Sequence, residues 1–147
     1  MFLEQLSGPV TLEIPSDPSS LFLVRGVVEK LALRMGFNAA ETGRMVLAVD
    51  EACTNVIRHA YGNRTCERIV LTFRADRDRL EILVRDFGPP ADPRCFVPRD
   101  LGDVRPGGLG MHFIRSAMDE VEYVNQEGGG MLLKLIKYRT RKEVANQ

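Results

Sequence analysis

The chain has 147 residues, 44% hydrophobic and 27% charged, which suits one globular domain with a core of its own. Twenty basic and twenty acidic residues cancel, so the basic footprint of a nucleic-acid binder is missing. Neither a basic, apolar leader nor a run of about 18 apolar residues is present, so we expect a cytoplasmic protein with no nucleic-acid or membrane partner.

In chain order, "VTLEIPS" (10–16) alternates Val10, Leu12 and Ile14 and predicts a strand. Ser16-Asp17-Pro18 reads as a helix start. Leu21, Val24, Val28, Leu31 and Met35 then recur on one helical face, with Gly36 as the stop. Asn38 and Glu41 have the spacing of a capping box and open a longer helix, roughly 39–61. Its stripe is Met45, Ala48, Val49, Ala52, Val56 and Ala60. "ERIVLTFRA" and "RLEILVRDFG" alternate as two strands around the turn "DRD" (76–78), an antiparallel hairpin. Residues 89–106 are proline-rich and aperiodic, the pattern of a lid. "GGLG" (107–110) precedes a third helix, with Met111, Ile114, Ala117, Met118 and Val121 at helical spacing. "VEYVNQ" and "MLLKLIKY" form a second hairpin around "EGGG" (127–130), and the tail from Arg139 is polar. This order predicts an α+β sandwich, one sheet covered on one face by three helices. One domain over 1–147 is expected, with its core at about 10–138, lid at about 89–106 and tail at 139–147. The cysteines, Cys53, Cys66 and Cys95, are odd in number and widely spaced, as reduced thiols and small buried hydrophobes would be.

Three stations can carry chemistry. Glu51 and Asn55, four apart, share a helix face. They can hold a hard cation such as Mg2+, or Glu51 can take a proton while Asn55 holds the metal. The same spacing also fits a solvated Glu and a surface Asn. Asp86 ends an apolar strand, and Gly88 follows in a turn. A carboxylate there suits an amino-group donor such as the exocyclic amine of adenine, and an ordinary strand-end Asp fits as well. Gly107, Gly108 and Gly110 precede a helix, where free amides can cradle phosphate or simply form a turn. Walker and Rossmann patterns are both absent.

Taken together and in this order, the stations resemble the GHKL (histidine-kinase-like) ATPase superfamily. "LAVDEACTNVIRHAYG", "VRDFGPPADP" and "GGLGMHFIRSAMDEVEY" are similar to segments of its anti-sigma factor and serine-protein kinase family, the RsbW-like proteins, over roughly residues 10 to 138. The resemblance implies a Bergerat-type two-layer sandwich with a mixed, mostly antiparallel sheet. It implies Glu51 as general base, Asn55 as the Mg2+ ligand and Asp86 with Gly88 at adenine. Gly107, Gly108 and Gly110 fall at phosphate. The implied reaction moves the γ-phosphate of ATP to a serine or threonine of a STAS-domain anti-anti-sigma protein. That partner competes with a sigma factor for a homodimeric kinase. The alternative is a nucleotide-gated sequestering module with little kinase activity. Pro90 departs from the superfamily's Asp-x-Gly-x-Gly by replacing the second glycine; it has no N–H to donate. Arg99 and Arg105 are lid cations that can reach phosphate or stay solvated. His59 is expected on the Asn55 face as a structural hydrogen-bonder near the helix end, and His112 carries no assigned role.

Overall fold

A computed structural model describes residues 6–88 and 108–139. Five strands form one sheet in the order β1-β2-β3-β5-β4: β1 Val10–Pro15, β2 Arg68–Ala75, β3 Arg79–Arg85, β4 Glu120–Asn125 and β5 Met131–Tyr138. All four pairings are antiparallel, so where a mixed sheet is expected from the resemblance, the described residues hold no parallel pair. The helices are α1 Leu21–Arg34, α2 Ala39–Asn55 and α3 Gly108–Ala117.

Local chemistry accounts for these boundaries. Asp17 heads a short 3-10 turn, Pro18–Ser20, by accepting the Ser19 N–H at 2.9 Å, and α1 starts only after it. The Asn38 side chain caps α2 by accepting the Glu41 N–H at 2.8 Å. Asp76 Oδ1 accepts the N–H groups of Asp78 and Arg79 and so closes the β2–β3 turn. The end of α2 departs from the sequence reading. Val56–Ala60 is a π-helical turn in which Tyr61 N–H donates to Val56 C=O. The third helix stops at Ala117, so Val121, expected on its stripe, belongs to β4.

The core lies between the helices and one sheet face. Ile69, Leu71 and Phe73 of β2, Leu80, Ile82 and Val84 of β3, and Leu133 and Leu135 of β5 are buried against it. Val24 and Val28 of α1, Met45 and Val49 of α2, and Ile114 of α3 close it from above. Strand β1 is an edge, and of its alternating apolar residues only Ile14 is fully buried. On the opposite sheet face the buried carboxylate of Glu81 is paired with Arg74 and Lys134 from the neighbouring strands, each at 3.4 Å. Helix α2 is tied to α1 by Arg25 and Asp50 at 2.6 Å, and to α3 by Arg44 donating to Ser116 C=O at 2.7 Å.

Candidate functional site

The C-terminal end of α2, the C-terminal end of β3, the start of α3 and the β4–β5 turn converge on one side of the sheet. A small pocket lies there. Its apolar walls are Ala52, Val56, Ala60, Val84, Met131 and Leu133; its polar groups are Asn55, Asp86 and Tyr123. The wider π turn brings both Val56 and Ala60 to this wall.

Asn55, the last residue of α2, is 5% exposed. Its Nδ2 donates to Met111 Sδ at 3.8 Å, while its Oδ1 is buried with no hydrogen-bond partner among the described residues. An unpaired buried amide oxygen costs about 1–3 kcal/mol, so it marks a place where a ligand belongs. Sulfur accepts but does not donate here, which turns the NH2 toward Met111 and leaves the oxygen to the cavity. A carboxamide oxygen is also the donor type Mg2+ takes, the rest of its shell coming from water and phosphate, so the residue fits that ion. Met111 Sδ also accepts from Tyr123 OH at 2.9 Å. Burial pushes the Tyr123 hydroxyl well above its usual pKa, so it stays a donor.

Asp86 is 4% exposed and follows the last residue of β3. Its N–H donates to Met131 C=O at 3.0 Å, and its Oδ1 accepts from Gly88 N–H at 3.1 Å and Met131 N–H at 3.3 Å. Among the described residues none donates to Oδ2. Burial raises the Asp86 pKa, and the two backbone N–H groups and Arg85 pull it back only in part. Gly88 is needed for space: a Cβ there would sit 2.8 Å from Ala60 C=O.

Glu51, one turn before Asn55, is half-buried beneath the first turn of α3. Gly110 is the reason α3 can come so near, since any Cβ on it would collide with the Glu51 carboxylate. Gly108 is the first residue of α3. The structure therefore brings Asn55 and Asp86 to one cavity and Glu51 to Gly110. Gly107, Pro90, Cys95, Arg99, Arg105 and the lid expected at 89–106 lie outside the described residues. His59, expected on the Asn55 face, is exposed. His112 is half-buried. Cys53 is buried and its thiol is pushed up to about 12, but Cys66 is exposed, contrary to the reading of the cysteines as buried hydrophobes.

Several residues of this region do not stand out in the sequence. Gly130 has φ +86°, and a Cβ on it would collide with Asp86 C=O, so the β4–β5 turn seats itself on the Asp86 backbone only as glycine. Three successive glycines exceed what a tight hairpin turn needs, and that excess was the available signal. Met111 and Tyr61 carried none.

A family model described as the histidine kinase-like ATPase domain matches residues 14–137. The chain is 34% identical over 149 residues to the serine-protein kinase RsbW of Halalkalibacterium halodurans, covering 95% of this chain and 90% of that protein. It is 32% identical to the RsbW of Bacillus velezensis over 138 residues, 88% of this chain and 84% of that one. The chain belongs to the RsbW-like serine-protein kinases. Their histidine kinase-like ATPase domain makes ATP the nucleotide this kinase takes. The RsbW-like fold recurs in a crystal structure of the RsbU and RsbW domains of a Mycobacterium tuberculosis protein. It superposes with a TM-score of 0.63 at 14% identity over 91% of this kinase and 34% of that chain.

Proposed function

We propose that this kinase transfers the γ-phosphate of ATP to a serine of a STAS-domain anti-anti-sigma protein, and that the unphosphorylated partner competes with a sigma factor for it. The supporting observation is the cavity shared by Asn55 and Asp86, in which Asn55 Oδ1 has no hydrogen-bond partner among the described residues. The names of the relatives, serine-protein kinases, support the reaction class.

In this reading Asp86 accepts the exocyclic amine of adenine, with Gly88 letting the backbone approach the ring. The amides of Gly107, Gly108 and Gly110 receive phosphate at the positive end of α3, and Arg105 adds charge from the lid. Asn55 Oδ1 holds Mg2+, which when bound neutralises charge on the phosphates. Glu51 takes the proton from the serine hydroxyl as its oxygen bonds to the γ-phosphorus; the bond from phosphorus to the β–γ bridging oxygen breaks, and ADP leaves. The proposal includes a cytoplasmic homodimer.

The test is incubation of the purified chain with γ-labelled Mg-ATP and a STAS-domain protein of the same organism. Label on a partner serine is the expected result. Tight capture of that partner with no label at saturating Mg-ATP would replace the reading by a nucleotide-gated sequestering module.

A further inference from the structure

Tyr61 is the first residue after the π turn, and its side chain is only 1% exposed. Its hydroxyl donates to Arg68 C=O at 2.5 Å and accepts the N–H of Phe87 at 2.7 Å. Phe87 is the middle residue of Asp86-Phe87-Gly88. One hydroxyl therefore joins the end of the helix that bears Glu51 and Asn55, the first residue of β2, and the segment that presents the Asp86 carboxylate. The remaining hydrogen bonds of this segment run to β3 and β5 and not to α2: Asp86 N–H donates to Met131 C=O at 3.0 Å, and Asp86 C=O accepts from the Arg85 guanidinium at 2.5 Å. Asp86 and Gly88 bond mainly to one another and to Met131. The Phe87 ring is 39% exposed, with the guanidinium of Arg68 at 3.9 Å and that of Arg85 at 4.5 Å from its centroid. Without the hydroxyl, the Arg68 carbonyl and the Phe87 N–H both lose this partner, and the segment loses its hydrogen-bonded tie to the end of α2 while keeping those to β5.

We infer that Tyr61 is a positioning residue for the nucleotide site, its hydroxyl fixing where Asp86 stands relative to Asn55 and so setting affinity and preference for the adenine base. This rests on the reading of Asp86 as the adenine acceptor. The ring is retained in Tyr61→Phe, so the core is unchanged and only the two hydrogen bonds are lost.

The experiment is calorimetric titration of ATP and GTP into the full chain, as wild type, Tyr61→Phe, Asp86→Asn and the double variant. Tyr61→Phe is expected to weaken ATP by about tenfold, the order of one lost buried hydrogen-bond pairing, and to narrow the preference for ATP over GTP. In the Asp86→Asn background the same change is expected to add little, because both act through one carboxylate. An unchanged ATP affinity in Tyr61→Phe, or a loss that adds in full to that of Asp86→Asn, overturns the inference. If Asp86→Asn alone leaves ATP binding intact, the adenine reading itself fails and the inference falls with it. Amide exchange in the wild type gives a check that needs no variant. The Phe87 N–H should exchange slowly despite the exposure of its ring, and fast exchange would show that the Tyr61 bond is not holding the segment.

Discussion

Asp86 sits where burial penalises its charge, yet an ionised carboxylate is the better acceptor for an amine. Its ordinary value is 3.8, and the folded value lies above that. The folded chain therefore binds more protons than the unfolded chain between those two values. Stability falls as pH rises through that window, and the cost is complete above it. Asp86→Asn keeps an oxygen for the Gly88 and Met131 N–H groups and removes the charge. It is expected to raise Tm at neutral pH, with the gain vanishing toward pH 3.8, while ATP affinity drops; scanning calorimetry across pH against an ATP titration checks both. A lower Tm at neutral pH would contradict the assignment of cost to the charge. The glycines separate two kinds of crowding. At Gly110 a new methyl meets the movable end of Glu51, so Gly110→Ala should leave Tm nearly unchanged while phosphotransfer is lost. At Gly130 it meets the Asp86 backbone at a φ of +86°, so Gly130→Ala should cost about 1–3 kcal/mol in a urea melt.

Strands and helices differ in how far pattern alone reveals them. The period-two alternation of Ile69, Leu71 and Phe73, and of Leu80, Ile82 and Val84, places the right residues inside, because the sheet has one covered face. Phe73→Ala should therefore cost about 3–5 kcal/mol, whereas Leu47→Ala, at a site 56% exposed on α2, should stay within about 0.5 kcal/mol; urea denaturation of both variants measures this. The π turn at Val56–Ala60 is invisible to the same reasoning. A widened turn keeps apolar residues nearly in phase, and only its hydrogen bond, Tyr61 to Val56, reveals it. His59, which reads as a neighbour of Asn55, is exposed near the end of that turn. Likewise Glu51, Asn55, Asp86 and Gly110 are legible as a spaced set of polar and glycine positions. Tyr61 is not, since its meaning depends on a backbone N–H 26 residues away. Glu81, buried on the uncovered sheet face, has its explanation in Arg74 and Lys134 of adjacent strands, a pairing that requires the register.

At the scale of the whole molecule, topology brings distant segments to one site. Helices α1 and α2 lie in the connection between β1 and β2, and α3 lies between β3 and β4. Strand β3 is central, between β2 and β5, so Asp86 at its end is held from both sides. Antiparallel β5 starts beside that end, which is how Met131 reaches Asp86 and the glycine turn before it packs on the Asp86 backbone. Helix α2 ends at this cavity and α3 begins beside it, with Asn55 bonded to Met111 and Glu51 beneath Gly110. The account's central claim is that this arrangement supports protein-serine phosphorylation with Glu51 as the base. It is tested most directly by measuring, in Glu51→Ala and wild type side by side, ATP affinity and the rate of phosphoserine formation on the STAS-domain partner. The predicted result is a rate at least ~100-fold lower, the scale of a lost general base, with ATP affinity nearly unchanged. Transfer at the wild-type rate in Glu51→Ala would contradict it.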